Sequence, residues 1–424
     1  MVIAQSGGPS PVINASLQGV IEACIECPEH FHNIYAAWHG VEGILKEELI
    51  DLRSQDREEI RLLRSTPSAG AIGTCRYKLK EEQKEDFERI MEVFRAHDIG
   101  YFYYIGGNDS MDTAQKVSVL AKQEGMELIV VGIPKTIDND IGDPEFRLLD
   151  HTPGYGSAAR YWSYWVQNLA EENRAMSSSE PVCVIQAMGR TSGFIPAAAR
   201  LADPQREIPL QIYFAEGEHT LESLADCVNE QLRTDGRCLV VVSEGFDLGD
   251  LGALHDDFGN IEYSSSKTTV AQEIVNYLNH NRLKARGLAT AQVPGAMQRC
   301  VSLNASCVDI EEAYQVARHA VEIAMQDGSE WMATILRKPG DSYQVHYDKV
   351  PLQKVANSVR HLPRHWISKN RLDVTDEFIR YAMPLIGKED PEVKIIDGLQ
   401  RFARLDRRFI DRLTPEYQPL RMRV

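Results

Sequence analysis

The chain has 424 residues, with 62 Asp and Glu against 46 Lys and Arg, for a formal net charge of −16. That balance works against binding nucleic acid, which needs a basic surface to release counterions from phosphates, and no apolar run is long enough to cross a bilayer. A content of 43% hydrophobic and 25% charged residues fits a globular chain long enough for two domains and a substantial core.

The opening Met-Val-Ile-Ala-Gln has neither the basic stretch nor the cleavage site of a secretory leader, and eight cysteines are scattered along the chain. A cytoplasmic location with reduced thiols is therefore expected. Cys24 and Cys27 alone have metal-like spacing, and without a second pair they read as structural. The first strand falls within residues 1–5 and is short, so a longer natural N-terminus is expected. It runs into Gln5-Ser6-Gly7-Gly8-Pro9-Ser10-Pro11 and then a helix with Ile13, Leu17, Val20, Ile21 and Cys24 on one face. A helix beginning beside glycines lets backbone N–H groups approach an anion.

After a charged stretch at 46–64, residues 66–76 form a small-residue loop ending in Arg76. Residues 82–97 make an amphipathic helix with Phe87, Ile90, Met91 and Phe94 inward, and 101–105 make a β-prone run. That run breaks at Gly106-Gly107-Asn108-Asp109-Ser110 and is followed by a helix that Asp109 or Ser110 could cap. Strand, glycine loop and helix in alternation predict a doubly wound α/β domain with its ligand site at the carboxyl ends of the strands. The first turn lacks the G-x-G-x-x-G of dinucleotide-binding domains.

The apolar run 128–133 ends at Pro134, and the next six residues contain Lys135, Thr136, Asp138 and Asp140. Phosphoryl transfer needs a cation on the donor, a base beside the acceptor hydroxyl and usually Mg²⁺. Lys135 supplies the cation, Asp138 or Asp140 the base, and Thr136 an orienting hydroxyl. A second α/β unit follows. A helix carrying Tyr161, Trp162 and Trp165, aromatics expected in the core or at an interface, leads to a strand at 182–188 that runs into Gly189-Arg190 and a small-residue helix from Thr191. Further strands are expected at 208–214, 238–242 and 331–336, and helices at 221–232, 267–284 and 309–326. Seven arginines between Arg401 and Arg423 make the tail locally basic, which reads as a helix face and salt-bridging segment.

The loops at 5–11, 106–110 and 134–140 together resemble the phosphofructokinase family over residues 1–336, and the third is similar to its pyrophosphate-dependent branch. The resemblance implies two doubly wound, three-layer α/β/α domains. Residues 1–150 with about 305–336 would bind the phosphoryl donor, 151–304 the sugar phosphate, and 337–424 would be a C-terminal extension packing on both. It implies Mg²⁺ as cofactor, pyrophosphate and fructose 6-phosphate as substrates, and a homo-oligomer, dimer or tetramer. Donor residues would be Gly8, Arg76, Gly107, Asn108, Asp109 and Lys135. Substrate residues would be Thr136, Asp138, Met188, Gly189, Arg190, Glu244 and Arg299. Asp138 would be the base, with Lys135, Thr136 and Asp140 completing the catalytic set.

In nucleotide-using members glycines commonly stand where this chain has Asp109 and Lys135. A carboxylate at 109 would crowd and repel an α-phosphate, while Lys135 would neutralise a pyrophosphate oxygen. The chain departs from the family at Asn108, where an aspartate normally stands near Mg²⁺, at Ala296, and at Pro181, where nucleotide-using relatives have an arginine reaching across a subunit interface. Alternatives left open are an ATP-dependent phosphofructokinase, a kinase for another sugar phosphate such as sedoheptulose 7-phosphate, and an inactive phosphometabolite sensor.

Overall fold

A computed structural model describes residues 1–66, 69–80, 82–217, 219–249, 251, 252, 254, 261, 266–280 and 282–423. Its framework is two sheets. The first contains β1 (Val2–Gln5), β2 (Tyr35–Ala37), β3 (Leu49–Asp51), β4 (Tyr101–Gly106) and β5 (Ile129–Pro134). The second contains β6 (Val182–Ala187), β7 (Leu210–Tyr213), β8 (Cys238–Ser243) and β9 (Ala289–Gln292), after which β10 (Trp331–Arg337) and β11 (Val345–Pro351) return to the first.

The seven-stranded sheet has the order β11-β10-β5-β4-β1-β2-β3. Its five inner strands are parallel, and β11 and β3 close the two edges antiparallel. Parallel strands covered on both faces read as unbroken apolar runs, which is why β4 and β5 stand out in the sequence. The predicted face of the Ile13–Glu26 helix is wholly buried. This helix packs on Cys307–Gln326, where a Cβ on Gly19 would lie 2.3 Å from the Tyr314 carbonyl oxygen, so only glycine permits the approach.

The second sheet has the order β7-β8-β6-β9 and is parallel throughout. Period-2 alternation divides its side chains cleanly. Cys183, Ile185 and Ala187 join Leu239 and Val241 in a core with the Tyr155–Met176 helix, while Val182 and Val184 join Val240 and Val242 against the Leu221–Asp235 and Val270–Asn279 helices. The fold is α/β, doubly wound twice, with helices on both faces of each sheet.

Most elements fall within a few residues of expectation. The helix expected at 267–284 is the shorter Val270–Asn279, because Thr269 caps its start and Asn279 exchanges two hydrogen bonds with Ala289 at its end. Beyond residue 336, β11 completes the first sheet, Trp366, Phe378 and Leu385 sit in the second core, and Ala403 and Leu405 return to the first.

Candidate active site

The carboxyl ends of β1, β4, β5, β6 and β8 face one cleft. It is lined by Gly8, Arg76, Gly107, Asn108, Asp109, Lys135, Thr136, Asp138, Asp140, Met188, Arg190, Glu244 and Arg299. Of the site residues expected from the sequence, only Gly189 is not on its wall, and it lies between two residues that are.

The floor is the loop after β5. Lys135 is buried, its backbone N–H donates to the Gly106 carbonyl at 2.9 Å, and its ammonium donates to the Gly8 carbonyl at 2.7 Å. One residue thus joins the glycine turns after β1 and β4, the first through its side chain and the second through its backbone. Burial, with Arg299 and Arg76 nearby, brings the Lys135 pKa down to about 7. Gly8 has Arg299 so close that a Cβ would sit 2.5 Å from the guanidinium, with Arg76 at 3.8 Å. Arg299, expected on the sugar side, therefore reaches the glycine turn opposite, and three cations converge there.

Thr136 accepts from the Asp138 backbone N–H at 3.0 Å, and its carbonyl receives Thr152 at 2.9 Å. Between the two aspartates, Asn139 adopts a left-handed φ of +57°. Burial raises the pKa of Asp138 and, with the Asp138 charge beside it, brings that of Asp140 up to about 7, while Arg190 opposes the shift in both. Asp140 accepts from the Asn108 amide at 3.3 Å, and Asn108 Oδ1 is buried without a hydrogen-bond partner among the described residues.

The Asn108–Gln123 helix after β4 is capped at Gly107, two residues before Asp109 and three before Ser110, the caps expected from the sequence. Gly107 is the N-cap and no side chain caps the turn, which leaves backbone N–H groups facing the cleft. Asp109 instead forms an ion pair with Lys78 at 2.6 Å.

Opposite, the loop after β6 carries two consecutive residues with positive φ, Gly189 at +111° and Arg190 at +50°. The end of β8 holds that shape: Glu244 accepts from the Arg190 N–H at 3.1 Å, and Ser243 donates to its carbonyl at 2.9 Å. Burial, then the charge of Asp138, raises the Glu244 pKa to about 7. Ser192 donates to the Asp138 carbonyl at 3.0 Å and so ties the two sides of the cleft.

Sequence reasoning missed Lys78, Ser192 and Arg360. Arg360 is fully buried behind the floor, donating to the Asn139 carbonyl at 3.1 Å, Asn139 Oδ1 at 2.7 Å and the Leu149 carbonyl at 2.6 Å. Lys78 could have been found by its place two residues after Arg76. Nothing local marks Arg360, which lies 221 residues from its partner.

Residues 1–324 match the family model described as phosphofructokinase. A Methylococcus capsulatus protein named pyrophosphate–fructose 6-phosphate 1-phosphotransferase is 39% identical, covering 91% of each chain, and one of the same name from Halomonas elongata is 37% identical over 98% of each. The crystal structure of pyrophosphate-dependent phosphofructokinase from Marinobacter aquaeolei superposes with a TM-score of 0.88 at 35% identity, covering 99% of both chains. Fold, cleft and likeness agree, and the chain belongs to the phosphofructokinase family.

Proposed function

We propose that this protein transfers a phosphoryl group from pyrophosphate to the C1 hydroxyl of fructose 6-phosphate, a reversible step of glycolysis. The observation that carries the reading is the joined set Lys135, Gly8 and Asp138 at the meeting point of the two sheets. It is supported by relatives that carry the name of this activity over nearly their whole length. The first sheet, with Gly8, Arg76, Gly107 and Lys135, forms the donor half. The second, with Met188, Gly189, Arg190, Glu244 and Arg299, forms the acceptor half.

In this reading Asp138 accepts the C1 hydroxyl proton as that oxygen attacks the donor phosphorus in line, and the bridging P–O bond of pyrophosphate breaks to release orthophosphate. Its orientation comes from the Thr136 hydroxyl on its N–H and Ser192 on its carbonyl. Lys135, Arg76, Arg190 and the N–H groups of the Gly8 and Gly107 turns spread the charge of the transferred group. Glu244 accepts from a sugar hydroxyl, and Arg299 bridges the halves.

Mg²⁺ fits the donor set: Asn108 Oδ1 is buried and unpartnered among the described residues, and the carboxylates of Asp138 and Asp140 are nearby. Asn108 and one of the two aspartates would hold Mg²⁺, with substrate phosphates and water completing its shell, and it would neutralise pyrophosphate charge. A single amide and two carboxylates suffice for that.

Pyrophosphate is favoured over ATP because Lys78 fixes the Asp109 carboxylate at the mouth of the donor side, where an α-phosphate would meet it. A homo-oligomer is supported by Trp165, Val293 and Met297, apolar side chains 42%, 43% and 50% exposed on one flank of the second sheet. A cytoplasmic location is supported by eight unpaired cysteines.

The test is turnover of fructose 6-phosphate with Mg²⁺ and either pyrophosphate or ATP, followed by detection of the 1,6-bisphosphate. Product with pyrophosphate alone is expected. Product with ATP alone overturns the donor reading, and folded protein silent with both overturns the activity.

A further inference from the structure

Arg76 stands on an irregular segment between a short helical turn and the Lys84–Ala96 helix. A long cation on such a segment reaches a phosphate reproducibly only if its backbone is fixed. On the cleft side it is: the Gly7 N–H donates to the Cys75 carbonyl at 2.9 Å, and Thr74 donates to the Gly7 carbonyl at 2.9 Å. Both bonds lie before Arg76, and neither restrains the Arg76 carbonyl or the residues after it.

Lys78, through Asp109, and Tyr77, through Gln83 and Asp86, are held by nearby sequence, and the Arg76 carbonyl is held by a residue more than 330 positions away. Arg421 donates to the Arg76 carbonyl at 3.0 Å, and its guanidinium lies 4.8 Å from the centre of the Tyr77 ring. Arg421 is itself paired with Glu42. Beside it, the fully buried carboxylate of Asp86 gathers the Tyr77 hydroxyl, the Tyr417 hydroxyl at 2.7 Å and the Leu420 N–H at 3.2 Å. Gln83 adds a bond to the Tyr77 hydroxyl at 2.8 Å, and Arg423 donates to Glu85 at 2.6 Å. A buried carboxylate with three donors from two distant stretches fixes one against the other.

We propose that residues 417–423 are a strap that positions Arg76 for the phosphoryl donor by holding the segment carrying it from behind, with Arg421 and Asp86 as the two points of attachment. Arg421 acts through Arg76 and is a positioning residue. The inference rests on Arg76 serving the donor half, as proposed above.

Its signature is a split between substrates. One charge-assisted hydrogen bond is worth roughly a tenfold change in affinity. Arg421→Met is therefore expected to raise the KM for pyrophosphate about tenfold, with the KM for fructose 6-phosphate within about twofold of wild type. Arg421→Lys, which can still donate to the Arg76 carbonyl, is expected to recover most of the loss. Tyr417→Phe removes one hydroxyl from Asp86 with little effect on volume, and a smaller rise in the same constant is expected. Melting curves establish that each variant is folded. Parallel rises in both KM values, a fall in kcat alone, or unchanged kinetics in folded Arg421→Met and Tyr417→Phe would each overturn the strap. A wild type that turns over ATP and not pyrophosphate overturns the donor reading instead, and the same split is then read in the KM for ATP.

Discussion

Lys135 is the residue on which the cleft's electrostatics turn, because it must carry charge in a place that disfavours charge. With a pKa near 7 in the free protein, set by burial and neighbouring guanidinium groups, it is cationic below that pH and neutral above it. Asp138 and Asp140 are shifted the other way and ionise only as pH rises. A bell-shaped profile of kcat/KM for pyrophosphate is expected, its acid limb from the aspartates and its alkaline limb from Lys135. Bound pyrophosphate restores the lysine's charge, so the alkaline limb of kcat should lie at higher pH than that of kcat/KM. Lys135→Arg should move the alkaline limb of kcat/KM upward, and an unmoved limb would remove Lys135 as its source. Asp138→Asn should lower kcat by about 10² to 10⁴ while leaving both KM values near wild type, the range for loss of a general base. At this scale the sequence was informative, since Lys135, Asp138, Arg190 and Glu244 all follow strands that announce themselves as apolar runs. Arg360 was not legible, because its meaning lies in a partner 221 residues away.

Loops between elements carry the chemistry, and each is shaped by a neighbour. The loop after β6 takes its left-handed turn from β8, and the loop after β5 takes its own from Arg360. That guanidinium satisfies Asn139 twice and sets the peptide between the two aspartates, so it governs where both carboxylates point. Lysine keeps the charge but cannot present the same fork of donors. Arg360→Lys should therefore lower kcat by about 10- to 100-fold with little change in either KM, a loss consistent with misplaced reacting groups. Steady-state kinetics on the folded variant decide it, and a change confined to KM would count against the role. Strand and helix positions were legible wherever five or more apolar or periodic residues ran together. The three-residue β2 and β3 and the four-residue β9 are too short for a period to show, and β11, where the alternation of Val345 and Tyr347 with polar residues breaks at Lys349, belongs to a sheet begun at the other end of the chain.

Across the whole molecule, the two halves meet at a buried ionic joint. His151 lies between Asp150 at 2.9 Å and Glu312 at 2.7 Å; Arg337 from β10 donates to Asp150 at 3.0 Å, Tyr343 donates to Glu312 at 2.6 Å, and Tyr381 from the far core donates to the Asp150 carbonyl at 2.8 Å. Burial lowers the His151 pKa, but the flanking carboxylates more than offset it and raise the pKa from 6.5 to about 9. A group whose pKa rises on folding gives stability that is complete below its unfolded value and is lost as pH climbs through the folded one. Melting temperature should therefore decline between about pH 6.5 and 9. His151→Gln should melt lower at pH 6 and lose that part of the slope, and an equally steep decline in the variant would remove His151 as its cause.

The order of strands along the chain also sets an order of assembly. The second sheet is drawn from one continuous stretch, 182–292, whereas the first is interrupted after β5 and resumes only with β10 and β11. During synthesis the second sheet can pair its four strands while the first still waits for two of its seven, leaving β5 with an open, apolar edge until residues 331–351 emerge, and the second core is completed later still by Trp366, Phe378 and Leu385. The nascent protein is thus most exposed to misassociation in its first-made half, and a chain cut short before β10 would keep that exposure permanently.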